Sequence, residues 1–315
     1  MNLHPIALLA FAVLTLSCDR LDTVRTRRVP EADLFEPQRT RVRPEMPGRR
    51  NVDVNLPDGN VLRGIAATRP EPKAVILYFG GGSEFAQAAT TRLTEWAARY
   101  NVSVVYIDYR GYGASSGSPS LGQLPADALS VYDRTQVMRR DVPTFVMGFA
   151  IGSIPATYLA ARRPVAGLVL VAPVSSLDDE SLYRPKKDGE PWYLAHFMPT
   201  VKTKPGFEIP EDSKPVLQIR QVSSPLLLIH GEADGTVPPQ CGRQVYESAR
   251  GEKELLMVPR VGHDVSSLLS GLGGNALGLF LSERLGGGAQ GEKVVTETIR
   301  GSDGAVIVET IEGSD

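Results

Sequence analysis

Only two cysteines occur in the 315 residues, Cys18 and Cys241. With Cys18 modified or removed, no intrachain disulfide is available, and the fold must rest on a large buried core. A hydrophobic content of 42% is ample for one. An excess of one charge is missing too: 34 basic against 36 acidic residues give a net charge of −2. That balance excludes nucleic acid as the main partner. Zinc-type Cys/His spacing, the phosphate-binding Gly-x-x-x-x-Gly-Lys and the dinucleotide glycine fingerprint are all absent, so neither a metal nor another cofactor is expected. The apolar run IALLAFAVLTLS is twelve residues long, well short of the ~20 that span a bilayer.

What that run does match is the core of a signal peptide. Small Ser17 precedes Cys18 and polar sequence follows at once; LTLSC resembles a bacterial lipobox. The expectation is a signal peptide over 1–18, with Cys18 lipidated as the mature N-terminus. The protein would then be anchored in the bacterial cell envelope, on the periplasmic or the surface face. The alternative is an ordinary cleaved leader with an incidental cysteine. Residues 19–50, with nine Arg, six acidic residues and four Pro, read as an extended tether.

From residue 51 the pattern becomes regular. NVDVNLPDGNVLRGIAA alternates around Asp58-Gly59, a hairpin signal. AVILYF, VSVVYI, TFVMGF, GLVLV, PLLLIHG and KELLMV are continuous apolar runs of strand length. Helical stretches separate them: 85–100, 121–140, 151–163, 240–249 and 265–285. Strands apolar on both faces, alternating with helices, predict a mostly parallel, doubly wound α/β sheet over 51–285. Ligands of such sheets bind at the carboxyl ends of the strands. Between 174 and 224 the alternation breaks into about fifty Pro-, Lys- and aromatic-rich residues, a candidate lid. The tail, 286–315, carries VTETIRGSD and IVETIEGSD, two related copies that predict a β-hairpin.

Each conspicuous motif falls at a strand end. GFAIGS, at 148–153, has the Gly-x-Ser-x-Gly frame of a nucleophile elbow, with Ala150 at its centre. LYFGGGSE, IDYRGYGASSGSPS, LIHGEADGTVP and VGHD complete the set. In this order they resemble the α/β-hydrolase superfamily, and most the branch of depalmitoylase-type thioesterases, monoacylglycerol-lipase-like esterases and serine aminopeptidases.

The resemblance implies a triad of Ala150 at the nucleophile position, Asp234 as acid and His263 as base. It implies oxyanion donors from the Ile151 amide and the Gly81–Gly82 turn. Gly80 and Gly82 stand where that branch has His and Asn. Alanine keeps the sterics of the elbow and removes the hydroxyl, so no acyl-enzyme can form there. Ser115, Ser116 and Ser153 are the nearby hydroxyls to consider; His230 reads as structural and facing away, and His196 has no evident partner. Three functions stay open. One is a catalytically impaired descendant that binds an acyl ester, lipid or peptide. Another is a hydrolase working through another serine or an activated water. The third is a non-hydrolytic enzyme with His263–Asp234 as general base.

Overall fold

The computed structural model describes residues 27–29, 31–35, 37, 48–84, 86–138, 141–177, 203–205, 209–286, 296–300 and 306–310. The leader with Cys18, residues 178–202 of the lid expectation and His196 lie outside them.

In chain order the strands are β1 (Arg27–Val29), β2 (Arg49–Asn55), β3 (Val61–Ala67), β4 (Ala74–Phe79), β5 (Val102–Ile107) and β6 (Thr144–Phe149). They continue as β7 (Gly167–Val171), β8 (Thr203–Pro205), β9 (Leu226–Gly231), β10 (Lys253–Val258), β11 (Thr296–Arg300) and β12 (Val306–Thr310). The helices are α1 (Ala86–Arg99), α2 (Leu124–Met138), α3 (Ser153–Ala160), α4 (Pro215–Gln218), α5 (Pro239–Ser248), α6 (Val265–Leu268) and α7 (Gly271–Arg284). Eight strands form one sheet in the order β10-β9-β7-β6-β4-β5-β3-β2. The β2–β3 and β3–β5 pairs are antiparallel and the rest parallel, the mostly parallel sheet that the apolar runs imply.

Every residue of β4, β5, β6 and β9 is buried, which is why their sequences show no alternation. Successive side chains pack into different layers. Val75, Leu77 and Val146 meet α2, α3 and α5 on one face. Ile76, Tyr78 and Met147 meet α1, α6 and α7 on the other. Each such aliphatic side chain stabilises the fold by about 1.5–3 kcal/mol.

Three expectations change in detail. The helix foreseen over 265–285 is two helices: α6 stops at Leu268, Ser270 is extended at φ −97 and ψ 164, and α7 starts anew at Gly271, which takes φ +49. The tether over 19–50 is partly docked: Phe35 is buried edge-on to Tyr112, and Glu31 accepts the Leu121 amide. Of the lid span, residues 209–222 belong to the body, with Ile209, Gln218, Ile219 and Val222 buried and α4 against α3. The strand Thr203–Pro205 pairs in parallel with β1. In the tail, β11 and β12 pair antiparallel, from Thr296↔Thr310 to Arg300↔Val306.

Candidate active site

The site is built where β6 runs into α3. Phe149 is extended at φ −112, and Ala150 then takes φ +50 before a tight turn leads into the helix. Such a left-handed conformation costs a residue with a Cβ about 1–2 kcal/mol. The surroundings enforce it. A Cβ on Gly148 would lie 2.5 Å from the Gly152 carbonyl, and one on Gly152 would lie 2.1 Å from the Phe79 carbonyl. Only glycines fit, so strand and helix approach closely and the buried Ala150 is held in the sharp turn of a nucleophile elbow.

His263 follows β10, and Asp234 follows β9. The His263 ring stacks on Phe149 with centroids 4.8 Å apart, which brings it beside the elbow. Its Nδ1 lies 2.7 Å from Asp234 Oδ2. The other carboxylate oxygen, Oδ1, accepts the amides of Thr236 and Val237, both at 2.9 Å. Burial by itself would raise the Asp234 pKa. Bonds from His230 and His263 and the Val237 amide outweigh it and hold the carboxyl well below its ordinary value. With Asp234 ionised, His263 Nδ1 donates to it and Nε2 is turned away from the acid, the orientation a general base needs.

His230 does not face away. It is fully buried, with Nε2 at 3.0 Å from the Val237 carbonyl and 3.4 Å from Asp234 Oδ2. Both neighbours are acceptors, so Nε2 bears the hydrogen and the ring supports the acid from behind. Gly242 leaves room for it: a Cβ there would fall 2.4 Å from His230 Nδ1. The glycine in α5 is the signal in the sequence for this packing.

The Gly81–Gly82 turn departs from the expectation. The Gly81 amide, foreseen as an oxyanion donor, donates instead to Glu84 Oε2 at 3.0 Å. The Tyr78 hydroxyl donates to the same oxygen at 2.7 Å. Tyr109 holds the Gly80 carbonyl at 2.8 Å, and Tyr112 holds that of Gly82. A Cβ on Gly80 would lie 2.4 Å from the Tyr106 hydroxyl and 2.8 Å from Glu84 Oε2, which explains glycine at that position. Gly82 is half-buried, and Ile151 lies in the turn after Ala150.

The remaining motif residues are structural. Asp108 Oδ1 accepts the Ala86 amide at 2.6 Å and so caps α1. Arg110 forms a buried bidentate pair with Asp127, with Nε–Oδ2 and Nη2–Oδ1 both 2.7 Å. Ser115 Oγ accepts the Arg63 amide and donates to the Asp108 carbonyl, both at 2.8 Å. Ser116 Oγ accepts the Val61 amide at 2.8 Å. Both serines are thereby fixed to β3, three strands from β6, a separation of ~14 Å. Ser153 Oγ donates to the Ala150 carbonyl at 2.7 Å and accepts the Val174 amide at 3.2 Å.

Strand order, elbow and the acid–base pair on successive strand ends decide the family. The chain is a member of the α/β-hydrolase superfamily. Within it, residues 70–217 match the serine aminopeptidase S33 family. Human protein ABHD12B is 31% identical over 185 residues, 56% of this chain and 50% of that protein. The lysophosphatidylserine lipase ABHD12 of Macaca fascicularis is 32% identical over 157 residues, 46% of this chain and 37% of that one. The chain thus spans half or less of the length of these relatives. The Pyrococcus furiosus esterase Pf2001 superposes with a TM-score of 0.61 at 17% identity, covering 80% of this chain and 98% of that one. Est1E from Butyrivibrio proteoclasticus gives 0.57 at 15%, covering 75% and 99%. At such identities these superpositions speak for the fold alone.

Proposed function

We propose that this α/β-hydrolase binds a single-chain acyl ester, of the lysophospholipid kind, without forming an acyl-enzyme. The observation that carries the reading is Ala150, held at φ +50 where the nucleophile belongs, beside an intact His263–Asp234 pair. The hydroxyls of Ser115, Ser116 and Ser153 are engaged in backbone hydrogen bonds, which argues against a substitute nucleophile. Relatives named lysophosphatidylserine lipases support a lipid ester as the ligand. The acyl carbonyl would lie against the Ile151 and Gly82 amides. Lipidation of Cys18 would hold the protein at the envelope membrane, near such ligands.

A second reading has its own support. An Asp234 kept ionised and 2.7 Å from His263 Nδ1 is a poised general base. It suits activation of water or proton abstraction.

The test uses the unmodified chain. It should bind a lysophospholipid saturably by calorimetry, hydrolyse short acyl esters negligibly and resist labelling by a fluorophosphonate. Fluorophosphonate labelling would reveal a nucleophile and overturn the reading. Absence of lysophospholipid binding would overturn the ligand assignment. Slow hydrolysis without labelling, lost in His263→Ala, would favour the general base.

A further inference from the structure

The Gly80–Gly82 turn borders the elbow. A Cβ on Gly81 would lie 3.0 Å from the Phe149 ring and 3.7 Å from the Ala150 Cβ. Successive glycines leave this backbone wide conformational freedom, and two tyrosine hydroxyls restrict it. Tyr109 donates to the Gly80 carbonyl at 2.8 Å, and Tyr112 donates to that of Gly82. The Gly80 carbonyl shares a planar peptide unit with the Gly81 amide, so holding one orients the other. Together the two hydroxyls pin both ends of the segment that carries the Gly81 and Gly82 amides.

The tyrosines are themselves placed by a row of rings. Tyr109 and Tyr112 meet edge to face, with centroids 5.9 Å apart and planes at 88°. Phe35 meets Tyr112 in the same manner, at 6.3 Å and 74°. Both separations fall within the ~4.5–7 Å where edge-to-face pairs attract. All three rings are buried. Deleting the Phe35 side chain therefore leaves space beside Tyr112, and a site of this kind relaxes only partly by moving its neighbours into the gap. Phe35 precedes every strand of the eight-stranded sheet and is carried by the N-terminal stretch. That stretch is held by Glu31 on the Leu121 amide and by the pairing of β1 with β8.

We propose that the N-terminal stretch is a strap on the site, and that Phe35 is a positioning residue for the Gly80–Gly82 turn. It acts through the Tyr112 ring and the bond from the Tyr112 hydroxyl to the Gly82 carbonyl. Docked, the strap keeps the turn in the geometry seen beside Ala150. Undocking, as by a pull on the chain ahead of β1, would let Tyr112 shift and the turn relax.

The experiment follows the Gly81 and Gly82 amide signals of the full chain by NMR with isotope-labelled glycine. Gly278, in α7 on the opposite face of the sheet from Phe35, is the reference. The readout needs no turnover, so it does not depend on what the site binds. Tyr112→Phe removes the hydroxyl and sets the scale of the displacement. Phe35→Ala should move the Gly81 and Gly82 signals in the same direction, by at least half as much, with Gly278 in place. In a Tyr112→Phe background, Phe35→Ala should add almost nothing. Phe35→Leu keeps apolar bulk without a ring edge, and it carries the same expectations should the alanine variant fail to fold. Unmoved Gly81 and Gly82 signals would overturn the proposal. So would a displacement that persists in full without the Tyr112 hydroxyl, or one that Gly278 shares.

Discussion

Restoring one oxygen atom at position 150 is the sharpest test of the site. Ala150→Ser adds a hydroxyl to a residue already at φ +50, so the variant should unfold within about 1 kcal/mol of the parent. In a working triad, loss of the serine lowers turnover by about 10⁶-fold, and restoration would return that much to a site otherwise complete. This site is not complete. Glu84 Oε2 holds the Gly81 amide at 3.0 Å, and one missing oxyanion donor costs about 10²–10³-fold. The expected gain is therefore about 10³–10⁴-fold in kcat on a short acyl ester, with stoichiometric fluorophosphonate labelling. Adding His263→Ala should remove both. A folded Ala150→Ser protein that stays inert would refute the claim that the acid–base pair serves position 150. A gain near the full 10⁶-fold would refute the role assigned to the Glu84–Gly81 bond.

Other perturbations follow from single contacts. Gly80→Ala drives a Cβ to 2.4 Å from the Tyr106 hydroxyl and should destabilise by about 1–3 kcal/mol, partly relieved by Tyr106→Phe, in chemical denaturation. Arg110→Ala leaves Asp127 buried without its bidentate partner and should cost about 3–5 kcal/mol. Asp234 has a depressed folded pKa, so its contribution is complete above the unfolded value of about 3.9 and is lost as pH falls through the folded one. The stability difference between parent and Asp234→Asn should accordingly be constant from neutrality to about pH 5 and shrink below about pH 4. Cys18→Ser should shift the protein from the membrane to the soluble fraction; an unmodified mature chain starting elsewhere by intact mass would refute lipidation.

The strand order was not in the sequence, but the strands were: AVILYF, TFVMGF and PLLLIHG are buried on both faces and therefore almost wholly apolar, Thr144 and His230 being the buried polar exceptions. The pairing of Asp234 with His263 was legible for a related reason. Asp234 and His263 lie in short, glycine-rich turns at strand ends, where local sequence dictates local geometry. Contacts across the fold were not legible. The hold of Glu84 on the Gly81 amide depends on how the turn folds back, the support of His230 for Asp234 depends on Gly242 in a separate helix, and the docking of Phe35 depends on Tyr112, far along the chain. The break at Leu269–Ser270 was not legible either: the helical pattern continues on both sides of it, and Gly271 just beyond is the one local mark.

The geometry at Ala150 belongs to its neighbours: Gly148, Gly152 and the Phe79 carbonyl fix the turn whichever small residue occupies its centre. Alanine and serine codons of the GCN and TCN sets differ by one base. A hydroxyl at this position is thus one point mutation away, with no refolding and little loss of stability to oppose it. Under selection for ester cleavage, that substitution would arise readily in a large population. Serial passage of a strain made dependent on ester cleavage by this protein therefore reads the site directly: serine at position 150 among the survivors shows that one hydroxyl is enough, and survivors altered elsewhere show that it is not.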